Sequence, residues 1–198
     1  MPKSVATTGK RVRTDAVQNR ARLIEAAKLA FAGEGAAASL EQIAREAHVG
    51  IGTLYRHFPT RDALIEAVYR QEIETLVAAA AELAEARAPM EALREWLLRF
   101  VAFLDTKMGI AGALSTLTGG PDPLYSGTPA RLDAPVRMLV ERARTNGELG
   151  SAVDPMNLLR AIVGVASIRP DPHWQEAAVQ MVDILLRGAR EVSPALEP

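Results

Sequence analysis

Apolar residues recur at three- and four-residue steps along almost the whole chain, and nowhere do they alternate with polar ones over the length of a strand. That period gathers them on one face of a helix, whereas a half-buried strand would need a period of two. Val17, Ala21, Ile24, Ala27 and Phe31 trace the first stripe from about Asp15, and Gly33 and Gly35 stop it. A second, narrower stripe is Leu40, Ile43, Ala44 and Ala47. Ser39 stands before it as an N-cap, with Gln42 three residues on to complete a capping box. His48, Val49 and Gly50 interrupt the period, Gly50 supplying the positive φ that a tight turn between helices often needs. Ile51, Leu54 and Phe58 then form the apolar face of another short helix. After Pro59, Thr60 caps a long helix that Leu64, Val68, Ile73, Leu76, Val77 and Leu83 carry to about Ala86.

The helical period continues to the end without internal repeats. From Pro89 to about Lys107 it is set by Leu93, Leu97, Phe100, Val101 and Leu104, with Trp96 and Phe103 widening the face. Gly109 to Thr118 is a short apolar helix, closed by Gly119-Gly120-Pro121-Asp122-Pro123. Leu124 to Asp133 reads as a loop with at most one helical turn, and Asp133-Ala134-Pro135 as the start of a helix that Asn146-Gly147 ends. Asp154-Pro155 and Asp171-Pro172 pair a capping carboxylate with a first-turn proline, which places the last two helices at about 154–168 and 171–190. Both are apolar nearly all round, so each must be buried on more than one side, either inside one protomer or against a second copy. Spacing alone leaves that choice open.

Charge divides the chain. The 198 residues carry a net charge of −1, yet residues 1–70 hold 11 Lys or Arg against 7 Asp or Glu, and the excess turns acidic thereafter. The N-terminal third is thus the part suited to a polyanion. Within it, 1–14 is a polar, basic stretch with Lys3, Lys10, Arg11 and Arg13, expected as a flexible arm able to add phosphate or minor-groove contacts. Hydrophobic residues make up 48% of the chain, ample for a core, and there is no cysteine for a disulfide or a thiolate metal site. The first twenty residues lack a signal-peptide core and no apolar run approaches the ~20 residues that span a bilayer, so a cytoplasmic protein without a membrane partner is expected. His48, His57 and His173 have no metal-ligand spacing, and Gly50-Ile51-Gly52 follows a helix where a dinucleotide fingerprint would follow a strand. No enzyme, cofactor or metal is expected.

The stretch from Ser39 to Phe58 concentrates the chemistry. Its second helix is polar on the outer side, has Gly52 for close approach and ends in Tyr55, Arg56 and His57, which suits a phosphate-lined major groove. A helical hairpin within an ordinary all-α core has the same spacing. The wider run 20–69, RARLIEAAKLAFAGEGAAASLEQIAREAHVGIGTLYRHFPTRDALIEAVY, separates the two readings, because it resembles the DNA-binding domain of the TetR family of bacterial regulators. The matching pieces are Leu23, Ala27 and Phe31 before Gly35; Ile43-Ala44 with Ala47 and Val49; Gly52-Thr53-Leu54-Tyr55 with His57-Phe58; and Ala63-Leu64.

The resemblance implies an all-α chain, with a three-helix helix-turn-helix DNA-binding domain at 15–62 and a helical effector-binding and dimerisation domain at 63–198. It assigns DNA contact to Thr53, Tyr55 and His57, to Ser39 and Gln42, and to Arg61, with Ile51, Gly52 and Arg56 at positions that vary in chemistry and read bases. It makes the last two helices a homodimer interface, carried by Leu158, Ile162, Trp174, Met181, Val182 and Leu185. Trp96, Phe100, Phe103, Met108, Tyr125, Met138 and Val163 are candidates to line an effector cavity, though each taken singly also suits plain core. The implied function is a repressor released from a palindromic double-stranded operator by a small, largely hydrophobic effector; the alternative is a DNA-binding regulator with no such effector.

Overall fold

The computed structural model describes the backbone of residues 6–150, 153–168 and 173–190, and the side chains from residue 15 onward within them. All regular structure among these residues is helical: α1 (Ala6–Glu34), a 3-10 turn (Gly35–Ala37), α2 (Leu40–Glu46), α3 (Ile51–His57), α4 (Arg61–Ala86), α5 (Pro89–Gly109), α6 (Ala111–Leu114), α7 (Asp122–Ser126), α8 (Thr128–Thr145), α9 (Pro155–Ser167) and α10 (Trp174–Gly188). The chain divides into two compact units, Met1–Gln71 with Met108–Pro123, and Glu72–Lys107 with Leu124–Pro198. This differs from a single boundary at residue 62: the division falls inside α4, and α6 returns to the N-terminal unit.

In that unit α1 packs on α2, α3, α6 and the 3-10 turn. Its buried stripe is Leu23, Ile24, Ala27 and Phe31, joined by Ile43, Ala44 and Ala47 of the α2 segment, Leu54 and Phe58 around α3, and Leu64 and Ile65 of α4. Val17, read as part of this stripe, is 70% exposed. The helix also begins at Ala6, before the expected start at Asp15, so 6–14 is helix where a flexible arm was expected. Once a helix is nucleated downstream, adding a residue costs little compared with starting anew. Residues 1–5 of that arm lie outside the described residues. The return of 108–123 has a close-packing cause: a Cβ on Gly112 would lie 3.5 Å from the Gly35 Cα, so the two backbones meet with no side chain between them. Ile110, Ala113 and Leu114 are almost fully buried around this contact.

In the C-terminal unit, α5 turns Trp96, Phe100 and Phe103 into the core, and the Trp96 indole N–H donates to the Leu76 carbonyl at 2.8 Å. α8 starts at Thr128, five residues before the Asp133 start read from its proline, and Pro135 lies inside it. Its buried positions Leu132, Val136, Leu139, Val140 and Ala143 begin upstream of Pro135, and burial of that stripe outweighs the one helical hydrogen bond that proline removes. Asp154 caps α9 as expected, accepting from the N–H groups of Met156 (2.7 Å) and Asn157 (3.3 Å). α10 begins at Trp174 with His173 as its N-cap and no side-chain cap bond, three residues after the expected start at Asp171; Asp171-Pro172 themselves lie outside the described residues.

Candidate nucleic-acid interface

α2 and α3 are joined by a turn whose geometry is set by residues 44–50. Val49 N–H donates to the Ala44 carbonyl and His48 N–H to the Arg45 carbonyl, both at 3.0 Å, which is the paired closure of a Schellman motif. The left-handed residue that this motif requires is His48, at φ 55°, and not Gly50, which is extended at φ −71° and ψ 148°. Gly50 acts instead as the N-cap of α3, its carbonyl accepting from Thr53 and Leu54. At the start of α2, Ser39 Oγ accepts from Gln42 N–H at 3.4 Å, but the expected capping box is not formed. The Gln42 side chain reaches forward along α2 and donates to Glu46 at 3.0 Å.

Two fully buried side chains hold α3 on the unit: Leu54 at 0% exposure and Phe58 at 3%. The Arg20 guanidinium lies over the Phe58 ring, 5.4 Å from its centroid. The opposite face is open. Ile51, Gly52, Tyr55 and Arg56 are exposed, while Thr53 and His57 are half-buried beside them. The spacing places Ile51 on the apolar face with Leu54 and Phe58, yet it is 38% exposed and belongs to the outer surface. Arg56 lies back along the helix, donating to Thr53 Oγ1 (2.8 Å) and to the Gly52 carbonyl (3.3 Å). Nothing stands within 4 Å of a Cβ built on Gly52, so no internal contact demands glycine there.

Arg61 is placed differently from the other candidates. Its guanidinium donates to the carbonyls of Ala38 (2.6 Å), Ala36 (2.9 Å) and Gly35 (3.4 Å) and lies 5.1 Å from the Phe31 centroid. These bonds tie the first residue of α4 to the turn that ends α1, a structural role that the sequence did not signal. Beside it Asp62 accepts from the Thr118 N–H at 3.0 Å, and that hydrogen bond holds its carboxyl below the usual carboxylate range. The sequence carries no marker of this pairing across 56 residues.

Model matches cover most of the chain. Residues 23–68 match the model for bacterial regulatory proteins of the tetR family, and residues 88–191 match the model for the C-terminal domain of SbtR-like transcriptional regulators. The chain belongs to the TetR family. TetR-family proteins are DNA-binding transcriptional regulators and not enzymes; they bind operators and dimerise. A TetR transcriptional regulator from Streptomyces coelicolor is 37% identical with a TM-score of 0.79, over 88% of this chain and 99% of that one. Another from Mycobacterium vanbaalenii is 31% identical with a TM-score of 0.74, over 91% and 99%. Among curated relatives, an HTH-type transcriptional regulator of Staphylococcus aureus is 39% identical over 67 residues, 33% of this chain and 36% of that protein. The A-factor receptor protein of Streptomyces griseus is 29% identical over 154 residues, 75% of this chain and 52% of that protein. The chain therefore spans about a third to a half of the length of these two. No described helix is long and apolar enough to cross a membrane, and the described residues contain no cluster of three or more potential metal-ligating side chains.

The residues singled out for the C-terminal functions are not arranged as one set. Trp96, Phe100 and Phe103 stack along α5, with centroids 6.3 and 6.1 Å apart, and are buried. Tyr125 is half-buried under the Lys107 ammonium, 3.9 Å from its ring, and burial lowers the pKa of that lysine. Met138 is half-buried. Met108 and Val163 are 40% exposed, and Met108 belongs to the N-terminal unit. On the last two helices, Leu158, Ile162, Trp174 and Val182 are between 0% and 9% exposed because α9 and α10 pack on each other; Met181 and Leu185 are half-buried. Leu158, Ile162, Trp174 and Val182 are thus core of the protomer. Among the described residues, the large exposed apolar side chains there are Val163, Ile168 (81%) and Ile184 (55%). A stripe in sequence marks burial without saying which side of the helix faces its own chain.

Proposed function

We propose that this chain is a homodimeric repressor that reads a palindromic operator through α3 and is released by a small, largely hydrophobic effector. The observation that carries the DNA reading is α3 itself, pinned inward by Leu54 and Phe58 while Ile51, Gly52, Tyr55 and Arg56 stand open on its other face. Gly52 lets the helix backbone approach the duplex, Thr53, Tyr55 and His57 donate to phosphates, and Arg56 swings off Thr53 to reach a phosphate or a base edge. Ser39 and Gln42 add phosphate contacts from the start of α2. Arg61 positions the unit, in place of the DNA contact first assigned to it. Two-fold symmetry places the two copies of α3 in successive major grooves about 34–36 Å apart, hence a palindromic site.

The dimer forms through the outer faces of α9 and α10, with Val163 and Ile184 at its centre and Met181 and Leu185 at its edge. Likeness to a protein named the A-factor receptor protein, together with the apolar C-terminal unit, supports effector release. The protein acts in the cytoplasm, where its operator is. Gel-shift titration of the operator at ~150 mM salt tests the DNA reading: Tyr55→Phe and His57→Ala each weaken binding, and unchanged affinity in both rules it out. Release is tested by titrating effector with and without saturating operator, because the two affinities must shift by the same factor. A regulator without an effector gives identical operator affinity across a ligand library.

A further inference from the structure

The C-terminal unit carries a cleft of about 370 Å³ that none of these functions uses. It lies between the start of α5 and the end of α10 and is lined by Met90, Arg94, Asp183, Leu186, Arg187 and Arg190. Three guanidiniums thus meet one carboxylate. Arg94 grips Asp183 with two parallel bonds, Nε to Oδ1 at 2.7 Å and Nη2 to Oδ2 at 3.1 Å, which neutralises that carboxylate and fixes its charge partner. Among the described residues Arg187 donates its Nε to the Asp183 carbonyl at 3.1 Å, a common way for a cation to serve a helix end. Arg187 lines the cleft beside Arg190, and its Nε bond leaves its two terminal amino groups uncommitted to that carbonyl. The floor is apolar: Met90 is 8% and Leu186 5% exposed. A cationic rim over an apolar floor, at the lower end of the volumes typical of ligand sites, matches an anion with a short aliphatic tail.

We propose that this cleft binds a small aliphatic carboxylate, its head group held by Arg187 and Arg190 and its chain lying on Met90 and Leu186. The cleft lies on a different face of α10 from Ala177, Met181, Ile184 and Gly188, so pairing of protomers through that stripe leaves it open. Planar guanidiniums pair with both carboxylate oxygens at once, which a hydroxyl cannot reproduce. Because the Arg94 and Asp183 side chains are 45% and 36% exposed, binding weakens as salt rises.

The test is calorimetric titration of the full chain at ~150 mM NaCl with hexanoate, acetate, hexanol and inorganic phosphate. Hexanoate is expected to saturate one site per chain and to bind at least about ten-fold more tightly than acetate, since each buried methylene contributes up to about four-fold. Hexanol is expected to give no saturable heat, and phosphate to bind more weakly than hexanoate. The double substitution Arg187→Gln with Arg190→Gln is expected to cost at least about ten-fold in hexanoate affinity, while the ligand-free unfolding midpoint and operator binding stay unchanged. If the double variant fails to fold, Arg190→Gln alone is expected to give a several-fold loss. No saturable hexanoate binding, equal binding of hexanol, or an unchanged affinity in the variants overturns the proposal. So does capture by phosphatidylglycerol vesicles without hexanoate binding, which would make the cleft a lipid-surface site. None of these readouts depends on DNA recognition, so its failure and the failure of that reading are separable.

Discussion

The pair α2–α3 and the pair α9–α10 are both helices packed against a neighbour, yet their outer faces diverge. On α3 the face away from the core carries Gly52, Tyr55 and Arg56, and it holds a glycine that no internal contact requires. On α10 the corresponding face presents Ile184 at 55% exposure, among Ala177 and Met181. A core residue looks the same in both pairs. On the proposed reading, what distinguishes a surface for a polyanion from one for another protein is what the helix leaves outside, and that is visible only once the inside has been identified.

The sharpest way to break the comparison is to mutate the two sides of α10. Val182→Glu places an unpaired charge in the protomer core and is expected to cost on the order of 3–5 kcal/mol, seen as loss of the cooperative urea transition. Ile184→Glu, two residues on and on the outer side of the helix, is expected to leave helicity intact and to yield monomers by sedimentation. The matching pair on α3 is Phe58→Ala, expected to cost about 3–5 kcal/mol as a core cavity, against Tyr55→Phe, expected to leave stability unchanged.

Smaller effects come from the backbone. His48→Gly relieves a left-handed side chain at an exposed position and is expected to raise stability by about 0.5–1 kcal/mol, read as an upward shift in the urea midpoint. Gly52→Ala is expected to gain about 0.5 kcal/mol through helix propensity and to lose operator affinity, so the same substitution moves the two measurements in opposite directions. An unchanged operator affinity would mean that the duplex never comes close to that residue.

The smallest effect is shared by the two units. Asp62 has its carboxyl lowered by the Thr118 N–H, and Asp183 by the hydrogen bond from Arg94. A depressed folded pKa stabilises the protein above the unfolded value near 3.8 and ceases to do so as pH falls through the lower folded value. Unfolding measured from pH 6 down to pH 3 is expected to show less acid sensitivity in Asp62→Asn and Asp183→Asn than in the parent.

The period of apolar residues revealed the helices and most of their ends, because capping and burial are local. Ser39, Thr60 and Asp154 cap where their side chains suggest, Thr60 accepting from the Ala63 N–H at 3.0 Å. The same reasoning failed wherever a distant partner decided the outcome. Pro135 suggests a helix start because proline favours the first turn, but the stripe from Leu132 overrides it. Gly50 drew the turn conformation in expectation because glycine allows it, whereas the hydrogen-bond geometry assigns it to His48. Arg61 was legible as a cation and not as a clamp, since the three carbonyls it holds lie more than twenty residues upstream.

The passage of 108–123 back into the N-terminal unit bears on how such a protein can be recombined. The reader of DNA is usually thought of as a detachable cartridge, exchangeable at a linker. Here the chain crosses between units at 71, 107 and 123, so a hybrid spliced once after residue 71 would bring a reader whose Gly35 faces another protein's loop in place of Gly112. Exchanging specificity between relatives therefore takes two inserts, with the small internal segment travelling alongside the N-terminal one.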